Sequence, residues 1–171
     1  MDNTIVFGKM NEDEFRRFED KNIKDYAQTL IKGRGFDEKT ALTESEKEFK
    51  SMLPDGLHTK DQFLMFIDDA QSGTPVGEIW FGYEEEDGKK QVFLAEFLIY
   101  EEYRRKGYAA SALSEMERRA EADGCAVSAL YVWDHNPGAY KLYEKCGYST
   151  VSHGNGGSYM KKKALITGDH K

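Results

Sequence analysis

The chain has 171 residues, with 24 basic and 31 acidic side chains and a net charge of −7. That length suits one domain with its own core, and the acidic balance argues against a nucleic-acid binder, which carries a basic footprint. No apolar run approaches the roughly 20 residues of a membrane span, and the two cysteines, Cys125 and Cys146, give neither a disulfide framework nor a zinc spacing. The first residues, Met1 to Thr4, lack a signal-peptide charge and apolar core, so a reducing, cytoplasmic setting is expected.

Thr4 to Met10 reads as a short first strand. Asn11 is an N-cap, followed by Glu12, Asp13 and Glu14 where the helix dipole favours acids. Phe15, Phe18, Tyr26 and Leu30 then recur at helical spacing. This stripe is read as core, with its ends reaching toward a substrate cleft. Gly33-Arg34-Gly35 breaks the helix, and a second runs from about Asp37 to Leu53 before Pro54-Asp55-Gly56.

A meander of strands follows: Gln62–Asp68, Pro75–Tyr83 and Lys89–Tyr100. The last two are joined by a charged loop, Glu84 to Lys90, with Asp87-Gly88 at its tip. The third strand is apolar on both parities, with Val92, Leu94 and Leu98 on one face and Phe93, Ala95, Phe97 and Ile99 on the other. Such a strand is buried between two layers. Glu96 is the ionisable residue in its middle, and a carboxylate there is costly unless paired or functional. A structural ion pair with a core-facing Lys or Arg is the competing explanation.

The stretch Tyr103-Arg104-Arg105-Lys106-Gly107-Tyr108-Ala109-Ala110 links that strand to a helix from Ala109 to Ala122. The first amides of a helix lack partners and carry the positive end of its dipole, so such a turn suits a phosphate. Two arginines and a lysine add charge, and Gly107 lets an anion approach the backbone. The plain alternative is a solvated turn capping a crossover helix.

Val127–Trp133 is the next strand, and the strand–helix–strand unit implies a parallel pair with a right-handed crossover. Asn136-Pro137 opens a last helix through Leu142 and Tyr143 to Gly147. Tyr148–Val151 and Ser158–Lys162 read as antiparallel strands, and the tail from Ala164 has no pattern. His58, His135, His153 and His170 form no metal-ligand spacing, His135 is read as a loop residue, and Lys161 to Lys163 as a solvated strand end.

Two motifs in this order resemble those of the GNAT N-acetyltransferase superfamily. Arg104, Gly107 and Ala109 fit its pattern [QR]-x-x-G-x-[GA]; Asn136, Ala139, Leu142, Tyr143, Gly147 and Tyr148 fit N-x-x-A-x-x-L-Y-x-x-x-G-[FY]. The resemblance implies an α/β fold: a mixed, mostly antiparallel sheet with one splayed parallel strand pair and helices on both faces. It implies a single domain over 1–171, with an acetyl-CoA-binding core over about 62–163 and a variable acceptor side over about 1–58.

Carried over residue by residue, the resemblance places pantetheine and the acetyl carbonyl along Phe97, Leu98 and Ile99. It places the pyrophosphate on the turn Arg105, Lys106, Gly107, Tyr108 and Ala109, with Arg104, Asn136 and Tyr143 also binding the cofactor. Tyr143 matches the tyrosine beside the sulfur, where its hydroxyl can protonate a leaving thiolate; Tyr140 is its rival. For the base the residues leave two candidates, Glu96 and, on the neighbouring strand, Glu78.

The activity implied is acetyl transfer from acetyl-CoA to a primary amine by direct attack, without a metal. The expected partner is a small-molecule or peptide amine, with no nucleic acid and no membrane; a homodimer is the assembly considered. The alternative function is a non-catalytic acyl-CoA sensor of the same fold.

Overall fold

The computed structural model describes residues 4–163; the patternless tail from Ala164 lies outside them. Their elements in order are β1 (Ile5–Lys9), α1 (Glu12–Arg34), α2 (Glu38–Met52), β2 (Gln62–Asp69), β3 (Pro75–Glu86), β4 (Lys89–Ile99), α3 (Tyr108–Ala122), β5 (Val127–Trp133), α4 (Pro137–Lys145), β6 (Ser149–Gly154) and β7 (Gly157–Lys163). The strands form one sheet in the order β1-β2-β3-β4-β5-β7-β6. All neighbours are antiparallel except β4 and β5.

Local chemistry sets the helix ends. The Asn11 Oδ1 accepts the Glu14 N–H at 2.8 Å, and the Glu14 carboxylate accepts the Asn11 N–H, a reciprocal capping box. Gly35, at φ 68°, closes α1 in the left-handed conformation that a residue with a Cβ resists. Asn136 caps α4 through the Ala139 N–H, with Pro137 at the first helical position. The charged loop of the meander is shorter than expected. β3 and β4 continue through Glu86 and from Lys89, leaving a two-residue turn with both residues at positive φ (Asp87 52°, Gly88 73°).

Helices cover both faces. α3 buries Ala112, Leu113, Met116 and Ala120 on one face, with Phe81, Val92, Leu94 and Ile99. α1 and α2 bury Phe15, Phe18 and Phe49 on the other, against Leu64 and Trp80.

The alternation expected along β4 fails at one place. Trp80 pairs with Glu96 but Phe81 pairs with Leu94, so Ala95 is an extra residue, a β-bulge. Beyond it the parity reverses. Phe97 and Ile99 join Val92 and Leu94 on the α3 side, while Glu96 turns to the α1–α2 side with Trp80.

The bulge coincides with the splay. β4 and β5 pair from Gln91–Val127 to Leu94–Leu130 and no further. From Ala95 and Tyr131 onward their facing edges separate.

Candidate functional site

A cavity of about 400 Å³ opens where β4 and β5 part. Its floor is Glu96, Phe97 and Tyr143; its walls are the inward faces of α1 and α2 and the ends of β5 and α4. α1 presents Asn22, Asp25, Tyr26 and Thr29, and α2 presents Ser45, Glu48, Phe49 and Met52. Both sets follow the i, i+3, i+4, i+7 spacing of one helix face. The buried Ser45 hydroxyl donates to the Ile23 carbonyl at 2.6 Å and ties the two helices together. Gly33 lets α1 cross Trp133 closely, since a Cβ there would lie 2.6 Å from the indole ring.

Glu96 carries the most informative electrostatics. Burial, then the neighbouring Asp25 carboxylate, push its carboxyl up from 4.5 to about 7; Lys21 opposes this, and Glu78 adds to it. The Phe97 backbone N–H also opposes the rise. Among the described residues no Lys, Arg or His lies within 4 Å of that carboxylate, so the expected core-facing ion pair is not formed.

Tyr143 is 8% exposed. Burial first, then the charge of Glu96, raise its pKa, so its hydroxyl stays protonated at neutral pH. That hydroxyl has no hydrogen-bond partner among the described residues, and the ring packs edge-on against Tyr148 at 6.0 Å. Tyr140 does not line the cavity; its hydroxyl pairs with the Thr150 hydroxyl at 2.8 Å. The helix therefore aims Tyr143, not its rival, at the cleft.

Glu78 lies outside the cavity lining. One carboxylate oxygen accepts from Lys21 at 3.3 Å and the other from the Tyr100 hydroxyl at 3.0 Å. At 14% side-chain exposure it is not an exposed sheet residue, and each of its oxygens already accepts a hydrogen bond.

The second centre is the turn before α3. Gly107 sits at φ 86° and Arg105 at φ 60°, which curls the chain so that successive amides point outward. The N–H groups of Gly107, Tyr108, Ala109 and Ala110 find no acceptor among the described residues; the first N–H beyond them, that of Ser111, bonds to the Gly107 carbonyl. Arg105 and Lys106 are exposed beside these amides.

Arg104 is exposed as well, and its Nε donates to the Ile99 carbonyl at 2.9 Å, tying the turn to the end of β4. Tyr108 faces inward, and its hydroxyl donates to Asp69 at 2.6 Å; that bond, with those from the Ser72 backbone and side chain, holds the Asp69 carboxyl down at about 2. Leu98 and Ala109 are half-buried and Ile99 is buried. Asn136 lines the cavity, as does His135, whose ring stacks on Trp133.

Sequence reasoning had Tyr26 in a stripe reaching toward the cleft but missed the rest of the rim. Asp25, Tyr26, Glu48, Arg34, Trp133 and His135 all face the cavity. The available signal was a polar residue beside each helix's apolar stripe, Asp25 before Tyr26 and Glu48 before Phe49. The lysine run also reads differently in three dimensions, because Lys161 pairs with Glu86 and Lys162 with Glu117, the latter at 2.8 Å.

A parallel pair that splays beside an amide-rich turn, with the motif tyrosine aimed into the gap, agrees with comparison to known proteins. Residues 26–148 match the model of the acetyltransferase (GNAT) family. This chain belongs to the GNAT family. It is similar to two uncharacterized N-acetyltransferases of Bacillus subtilis (strain 168). YdgE is 32% identical over 84% of this chain and 90% of that protein, and YycN is 33% identical over 85% and 92%.

The crystal structure of YycN superposes with a TM-score of 0.81, covering 88% of this chain and 96% of that one. A 16% identical structure, the PaiA N-acetyltransferase of Thermoplasma acidophilum in complex with coenzyme A, has a TM-score of 0.67, covers 94% and 99%, and shares the fold. This GNAT chain is therefore an acetyltransferase with the α/β fold that its motifs imply. Among the described residues no helix is long and apolar enough to cross a membrane, and no group of three His, Cys, Asp or Glu is placed to hold a metal.

Proposed function

We propose that this acetyltransferase moves an acetyl group from acetyl-CoA to a primary amine by direct attack in a ternary complex. One observation carries this reading: Glu96, held near neutrality, and Tyr143, held protonated, face the same cavity at the point where β4 and β5 lose each other. Two titratable groups pushed to different values in one cleft are suited to opposite halves of a proton-transfer reaction.

The unpaired amides at Gly107 to Ala110 fit a pyrophosphate. The unpaired edge of β4 at Phe97 to Ile99 fits the amide-bearing pantetheine arm, which can pair with it like an added strand. Acetyl-CoA supplies the thioester.

Glu96 takes a proton from the acceptor ammonium, leaving the nitrogen lone pair free to attack the thioester carbonyl. The Phe97 N–H donates to the carbonyl oxygen as negative charge develops there. Tyr143 gives its proton to the departing sulfur as the carbon–sulfur bond breaks; the nitrogen sheds its second proton to solvent as it becomes the amide, and Tyr143 recovers one from solvent. Holding both reactants in one cleft contributes most of what is available without a covalent intermediate. Glu78 keeps Lys21 beside Glu96, while α1 and α2 build the acceptor side.

The test is CoA thiol release over an amine panel, together with initial-rate kinetics. Amine-dependent release with intersecting double-reciprocal lines is expected. Tight acetyl-CoA binding with no release above hydrolysis across the panel would instead make the chain a sensor, and a parallel-line pattern would rule out direct attack.

A further inference from the structure

The acceptor half of the cavity carries more charge than the reaction needs. One carboxylate suffices for the base, yet three face the space: Glu96 at the floor, Asp25 on α1 and Glu48 on α2. Asp25 and Glu48 are exposed at the mouth. Neither forms an ion pair within 4 Å among the described residues.

Aromatic surface lies between mouth and floor. Tyr26 and Trp133 pack 6.3 Å apart across the cleft, and Trp80 lies deeper. Ring faces of this kind attract organic cations. The cation on this rim, Arg34, is already engaged, with its guanidinium 5.3 Å from the Trp133 ring centroid and a hydrogen bond to Tyr131. It lies nine residues beyond Asp25 on α1, or about 13 Å along the axis at helical rise. Tyr143 is 8% exposed, and its hydroxyl, with no hydrogen-bond partner among the described residues, marks where the reacting end of a ligand would sit.

We infer that the acceptor is a dicationic aliphatic amine: one ammonium is delivered to Glu96 while Asp25 and Glu48 hold a second at the mouth. This rests on the acetyl-transfer reading and names its substrate class. A flexible methylene chain suits the aromatic walls. A single-charged amine leaves both rim carboxylates without a countercharge, and an amino acid brings its carboxylate among three others.

The experiment compares three probes of matched length: 1,4-diaminobutane, n-butylamine and 4-aminobutanoate. CoA release gives kcat/KM for each. Quenching of Trp80 and Trp133 fluorescence in the CoA-bound protein gives affinity without turnover. The diamine should exceed n-butylamine by about tenfold in kcat/KM and in affinity, mostly through KM, with the margin shrinking in 0.5 M salt as exposed charges are screened. In Glu48→Gln, and further in the double variant with Asp25→Asn, the ratio should fall toward one.

Equal values for diamine and monoamine, preference for 4-aminobutanoate, or a ratio unmoved by the two substitutions would each overturn the inference. Selective diamine binding that those substitutions abolish, without CoA release, would uphold the dicationic site and refute acetyl transfer.

Discussion

Replacing Glu96 by Gln should separate its catalytic role from its cost to the fold. Gln keeps the shape, but it cannot ionise. Because burial and Asp25 raise the folded carboxyl from 4.5 to about 7, the folded state binds this proton more tightly than the unfolded state does. The stability this contributes is fully present below pH 4.5 and is lost as pH rises through 7. At about 1.4 kcal/mol per tenfold change, the loss totals about 3 kcal/mol at pH 8.

Glu96→Gln should therefore be more stable than the parent at pH 8 by up to about 3 kcal/mol, roughly 5–10 °C in Tm for a chain of this size, and show little gain at pH 4.5. Its kcat/KM at pH 7.5 should fall by about 10²-fold or more. The parent's inflection near pH 7, which belongs to the free enzyme, should vanish from its profile. Urea denaturation at the two pH values and a pH–rate series from 5.5 to 9 measure both. A variant no more stable at pH 8, or a parent profile without that inflection, would refute the burial argument; a full rate in a stabilised variant would move the base elsewhere.

Tyr143→Phe should lower kcat by about 10²-fold while calorimetry finds acetyl-CoA affinity and fold stability nearly unchanged, because the hydroxyl bonds nothing among the described residues; a parallel loss of affinity would make it a binding residue. Gly107→Glu should abolish acetyl-CoA binding, whereas Gly107→Ala, sharing the strain of φ 86° without the charge, should retain most of it at a cost of about 1 kcal/mol in stability. Equal affinities in those two variants would remove the anion from this turn. Glu78→Gln should reduce stability and lower the rate severalfold without abolishing the pH 7 inflection; loss of the inflection would make Glu78 the base.

Much of the fold was legible locally, because helix caps and apolar periods act over a few residues. Asn11, Gly35 and Asn136-Pro137 mark helix ends wherever they occur, and the phosphate-type turn follows from one glycine between a strand and a helix. The two motifs placed Tyr143 on its helix and Gly107 in its turn. The residues alone could not say which way Glu96 points. Strict alternation puts it with Val92 and Leu94, beneath α3; the bulge at Ala95 reverses that parity and turns it into the cleft. A bulge is a property of two strands in register, so no pattern within β4 announces it. The rim was invisible for the same reason. Asp25 and Glu48 lie 23 positions apart and look like solvated helix charges, until α1 and α2 fold side by side over the gap between β4 and β5. Spacing along a chain encodes which residues share a helix face; only packing decides what that face looks at.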